Sequence, residues 1–104
     1  MKVEKFKNPL LAGEKRVLSF DFTDDLAIGE ILSGLITVTV SLARGEDATP
    51  ANILNGAASV DATSKIVLVP VYVVNKKTEY QIKVIAPTND AKKVIGLAAV
   101  LAVV

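Results

Sequence analysis

The 104 residues contain no histidine, no cysteine and no tryptophan. Without histidine the chain lacks the commonest general base and the commonest metal ligand. Without cysteine it has no thiol nucleophile, no disulfide and no thiolate zinc site. That absence fits a reducing compartment. Aromatic residues are scarce, with two Tyr and three Phe, so the core has to be aliphatic. Neither sign of charge dominates: 12 basic against 11 acidic residues leave a net charge of +1. No bulk field therefore recruits nucleic acid or an anionic lipid surface, and no such partner is expected. The longest apolar run, residues 94–104, falls short of the ~20 residues that span a bilayer as a helix. Residues 1–8 carry no apolar stretch of the kind that heads a secretory leader.

What is present is strand-like. A chain of this length buries roughly 60–70% of its unfolded surface, enough for one core without staples. Residues 17–22 alternate, with Leu18, Phe20 and Phe22 on one face and Ser19 and Asp21 on the other. Thr23-Asp24-Asp25 caps a single helical turn through residues 26–28, stopped by Gly29. Residues 35–42 alternate again, Ile36, Val38, Val40 and Leu42 against Thr37, Thr39 and Ser41. A weaker strand at 53–60 is broken by Asn55-Gly56. Residues 65–74 are apolar on both faces, so they should be covered on both sides, and Pro70 points to an edge or a bulge. Residues 79–86 place Tyr80, Ile82, Val84 and Ala86 on one face. Residues 92–104 form the last strand. A helix there is the competing reading, given Leu97, Ala98, Ala99, Leu101 and Ala102, but the β-branched Val94, Ile95, Val100, Val103 and Val104 favour a strand.

About seven short strands with turns every 8–12 residues define an all-β domain, a two-sheet sandwich before a small barrel. The sandwich is expected over residues 17–104. Residues 1–16, with Lys2, Lys5, Lys7, Lys15, Arg16, Pro9 and Gly13, read as an N-terminal arm.

Few constellations carry chemistry. Asp21, Asp24, Asp25 and Glu30 cluster in sequence, but not at the spacing of a calcium loop. Helix capping and solvation account for them. Lys76-Lys77 and Lys92-Lys93 sit at turns and form no continuous basic stripe with aromatics. Of Ser19, Ser33, Ser41, Ser59 and Ser64, none opens an S-x-x-K motif, and Ser64 and Lys65 point to opposite faces of a strand. Gly29, Gly34, Gly45 and Gly56 are isolated, so no loop cradles a phosphate. No enzyme, cofactor, metal or small-molecule substrate is expected.

Three segments carry a resemblance. Residues 17–32, VLSFDFTDDLAIGEIL, are similar to an opening found in small phage and prophage proteins: a strand ending in Asp-aromatic, a Ser/Thr-Asp turn, a Leu, then Gly-Asp/Glu-x-Ile. Residues 53–61, ILNGAASVD, resemble their Leu-x-Gly-x-x-x-Ile strand. Residues 71–84, VYVVNKKTEYQIKV, with the Thr88-Asn89-Asp90 turn, resemble their paired strands, with Asn75-Lys76-Lys77 where those proteins carry a glycine-rich turn. The family is that of small Ig-like β-sandwich components of tailed-phage particles. It implies a virion structural or assembly role at the head–tail connection, tail or capsid surface. Its partners would be other phage structural proteins, and its location the virion and, during assembly, the host cytoplasm. The alternative is an Ig-like adhesion or carbohydrate-binding module.

A two-faced apolar strand wants a cover. Homo-oligomerisation is therefore expected through Val94, Ile95, Leu97, Val100, Leu101, Val103 and Val104, with one sheet edge. Phe6, Leu10 and Leu11 are candidate contacts of the arm on a neighbouring subunit. An ordinary central strand of a monomer reads the same way in sequence.

Overall fold

The computed structural model describes residues 9–104 in full and residues 2–5 in backbone. The strands are β1 (Lys2–Lys5), β2 (Lys15–Asp21), β3 (Thr37–Arg44), β4 (Ser59–Val60), β5 (Ile66–Tyr72), β6 (Thr78–Pro87) and β7 (Val94–Val103). Two short 3-10 turns, Thr23–Asp25 and Pro50–Ile53, interrupt the connections. The first shortens the turn expected at 24–28, because Leu26 already adopts an extended backbone. The strand expected at 53–60 is broken up: Ile53 ends the second turn, Leu54 pairs with Val71 as an isolated bridge, and only Ser59–Val60 form a strand.

The six strands β2–β7 are antiparallel and form two three-stranded sheets, β2-β5-β4 and β3-β6-β7. This is the strand order of the immunoglobulin sandwich. β1 extends the second sheet by pairing in parallel with β7, Lys2 opposite Leu97 and Lys5 opposite Val100. It fills the edge that β7 would otherwise present to solvent.

Alternation on each strand supplies the core. Leu18, Phe20 and Phe22 face Val67, Val69, Val71 and Val73 within the first sheet, and Tyr80, Ile82, Val84, Ala86, Leu97, Leu101 and Val103 across the gap. Leu10, Leu32 and Ile53 close the ends from the connections. The filling is aliphatic apart from Phe20, Phe22 and Tyr80 among the described residues.

β5 is the middle strand of its sheet, although Pro70 suggested an edge or bulge. The ring costs no ladder bond for a local reason. Pro70 opposes Val17 in a pair without mutual hydrogen bonds, and its carbonyl points away from β2 to accept from the Asn55 N–H at 2.9 Å. Its missing N–H faces that same side, where the chain leaves the sheet between Leu54 and β4. Only the inner face of β5 is covered. Ile66, Leu68 and Pro70 are half-buried on the outer face, and Tyr72 is exposed.

The β5–β6 turn has no glycine, yet Lys77 takes φ +59°, a conformation glycine usually supplies. Gly45 lies beside it at φ +92°, where a Cβ would stand 2.7 Å from the Lys77 carbonyl oxygen.

Candidate interaction surface

The strand nominated for self-association divides between two faces. Ile95, Leu97, Leu101 and Val103 point inward and belong to the core or pack on it. Val94, Val100 and Val104 point outward with Gly96, Ala98 and Ala102 between them; Val94 and Val104 are more than half exposed, Gly96, Val100 and Ala102 are half-buried, and Ala98 is fully buried and offers nothing to a partner. Both hydrogen-bonding edges of β7 are occupied, by β6 and β1. What β7 leaves for a partner is therefore its outward face of small apolar side chains. Beside it on that face run Glu79, Gln81, Lys83 and Ile85 of β6, then Thr37, Thr39 and Ser41 of β3.

The arm residues also separate. Leu10 is buried in its own chain: it bridges Val103, its N–H donates to the Ala102 carbonyl at 3.0 Å, and its carbonyl accepts from Val104 at 2.8 Å. Leu11, next to it, is 60% exposed. Phe6 lies outside the described residues.

The first sheet has its own outward apolar surface. Val17, Tyr72 and Val74 are exposed there, with Leu68 and Pro70 half-covered. The Lys15 ammonium sits 5.1 Å from the centre of the Tyr72 ring, near enough for cation–π attraction. A shallow groove of about 430 Å³ opens between the β3 and β4 edges, lined by Leu35, Ile36, Val38, Leu54, Ala58 and Val60 among others.

The polar side chains are engaged in fixing loops. Tyr80, fully buried at the start of β6, donates its hydroxyl to Asp47 Oδ2 at 2.6 Å. This resembles the tyrosine corner of immunoglobulin sandwiches, with a carboxylate as acceptor in place of backbone. Burial and then the Asp47 carboxylate push the Tyr80 phenol up from its ordinary value; the Tyr80 hydroxyl holds Asp47 down. Asp21 and Asp61 each accept from the side chain and backbone of a Thr two residues on, which lowers both. Glu30 is lowered chiefly by Lys93, whose ammonium lies 2.6 Å away and also donates to the Asp25 carbonyl. That bond ties the β2–β3 connection to the β6–β7 turn. No three His, Cys, Asp or Glu side chains converge as metal ligands among the described residues. Asp21, Asp24, Asp25 and Glu30 remain a cluster in sequence only.

Sequence reasoning passed over the Tyr80–Asp47 pair and the free edge of β2. The first had a signal: a Tyr two residues into a strand that follows a tight turn. The second had none, because which strand ends a sheet is decided by long-range pairing.

No protein-family model, no curated protein and no solved structure matches the chain. The fold is that of a small two-sheet β-sandwich domain.

Proposed function

We propose that this protein is a phage or prophage virion structural or assembly protein, at the head–tail connection, tail or capsid surface, acting through shape and self-association. One observation carries the reading. The sandwich turns exposed apolar side chains outward on both sheets, Val17, Tyr72 and Val74 on one and Val94 and Val104 on the other. Several polar side chains, Asp21, Glu30, Asp47, Asp61 and Lys93, meanwhile fix loops. Val17, Tyr72 and Val74, grouped with Leu68 and Pro70 on the outer face of the first sheet, offer the kind of apolar surface that protein contacts use. The resemblance of residues 17–32, 53–61 and 71–84 to small phage sandwich proteins supports the same reading. Immunogold electron microscopy on particles induced from the source strain, with mass spectrometry of the same particles, tests it. Label on the neck, tail or head is the expected result. Particles with their other proteins detected and this one missing would refute a place in the finished virion.

A second reading, a carbohydrate-binding module, keeps one supporting observation: Tyr72 is an exposed aromatic, with Lys15 over one face of its ring, whereas Tyr80 is buried. Binding on a glycan array that is lost in Tyr72→Ala would favour it.

A further inference from the structure

Among the described residues the β2 edge is open, and its direction of hydrogen bonding follows from its partners. The Phe22 N–H donates to the Lys65 carbonyl at 2.9 Å, and Glu14 accepts from the Val73 N–H at 3.1 Å. Backbone groups alternate sides along a strand, so the even residues of β2 face β5. The N–H and C=O groups of Lys15, Val17, Ser19 and Asp21 therefore point away from the sheet. Among the described residues no backbone group pairs with them. All four side chains are exposed.

Such an edge usually carries charges that repel another strand. Here the charges stand at opposite ends: Lys15 and Arg16 open β2 and Asp21 closes it, with uncharged residues between. A second copy lying antiparallel, with Leu18 opposite Leu18, brings Lys15 against Asp21 and Val17 against Ser19, each twice. All four positions are outward-bonding ones, so the backbone register and the charge register coincide. A parallel copy in register would set Lys15 on Lys15 and Asp21 on Asp21, which is repulsive. The edge is thus complementary to itself in one orientation. β3, the other long open edge, lacks this property. Arg44 is its only charged residue, and its ladder shifts between Leu42 and Arg44.

We infer that two copies of this chain pair antiparallel through β2 about a two-fold axis at Leu18, joining their β2-β5-β4 sheets into one six-stranded sheet with Lys15 of each copy on Asp21 of the other. This deepens, and rests on, the self-association in the proposed function. The outward face then carries the row Tyr72, Lys15, then Asp21 and Ile66 of the second copy, followed by Pro70, Val17, then Ser19 and Leu68 of the second copy. One strand edge buries less than the ~1,200 Å² of a standard interface, so the expected dissociation constant is weak, about 0.1 mM. Repetition in an assembly raises the effective concentration and makes such a contact sufficient.

Sedimentation equilibrium at about 10 µM to 1 mM brackets that constant. The average mass of the full chain is expected to climb from monomer toward dimer. Ser19→Pro removes an outward N–H and leaves the bonds to β5 untouched, so it should abolish dimerisation with unchanged circular dichroism. Lys15→Glu and Asp21→Lys should each weaken dimerisation about tenfold. Mixing the two variants should restore it as a heterodimer, and this result decides the matter even if Ser19→Pro does not fold. A chain that stays monomeric throughout overturns the inference. So does a dimer indifferent to all three substitutions, although self-association through another surface would then stand. Particle labelling tests the virion role independently, so the two failures are distinguishable.

Discussion

Removing residues 101–104 should unfold this domain rather than release it from an assembly. Leu101 and Val103 are essentially without solvent contact. Taking each out of the core forfeits about 1.5–3 kcal/mol of burial. The same cut removes the acceptors of three N–H groups: Leu10 loses Ala102 at 3.0 Å, Ala12 loses Val104 at 3.0 Å, and Lys77 loses Val103 at 2.9 Å. It also removes the 2.8 Å bond from the Val104 N–H to the Leu10 carbonyl. At about 1 kcal/mol net for each of these four bonds, the total reaches roughly 7–10 kcal/mol. A domain of this length holds about 5–15 kcal/mol altogether. The single substitution Leu101→Ala should cost about 2–5 kcal/mol and leave a folded, weaker protein. Urea unfolding followed by far-ultraviolet circular dichroism or tyrosine fluorescence measures both, since no tryptophan is available. Val94→Ala, at an exposed position of the same strand, is the control, with an expected change below about 0.5 kcal/mol. Cooperative unfolding of the truncated chain within about 1 kcal/mol of the full one would refute this account of β7 as a core strand.

Other outcomes follow from individual contacts. Gly45→Ala should destabilise by about 2 kcal/mol or more in the same assay, because its Cβ would stand 2.7 Å from the Lys77 carbonyl oxygen at a φ of +92°. Tyr80→Phe should cost about 1–2 kcal/mol, since the ring stays buried while the bond to Asp47 is lost. The lowered carboxyls of Glu14, Asp21, Glu30, Asp47 and Asp61 should make the fold acid-sensitive. Below about pH 4 the unfolded chain takes up protons that the folded chain still refuses, so the urea midpoint should fall from pH 5 to pH 2. At the alkaline end the raised Tyr80 works the other way. Above about pH 10 the unfolded phenol ionises first, and stability should fall again, a loss that Tyr80→Phe should reduce.

Much of the sandwich was legible because a half-buried strand writes its faces into a two-residue period. Leu18, Phe20 and Phe22, and Tyr80 through Ala86, are buried where the alternation put them. The β5 run misled in part. Val67, Val69, Val71 and Val73 are buried, but the apolar outer face is only half-covered, and a Val, Leu or Pro reads the same whether a second layer lies over it or not. The candidate surface was less legible than the fold. Val94 to Val104 look alike in composition, yet the pleat sends Leu101 into the core and Val100 out of it, and β1 closes the edge between them and solvent.

Composition and local pattern were enough for the class of the domain, its aliphatic core, the turns and the absence of imidazole and thiol chemistry. Each depends on residues near one another in the chain. Strand order, the parallel seat of β1, the central place of a proline-bearing β5 and the open edge at Lys15–Asp21 came only with the folded chain. They depend on pairings between distant segments, and the energy that selects among such pairings is shared over the whole core rather than held by any short stretch.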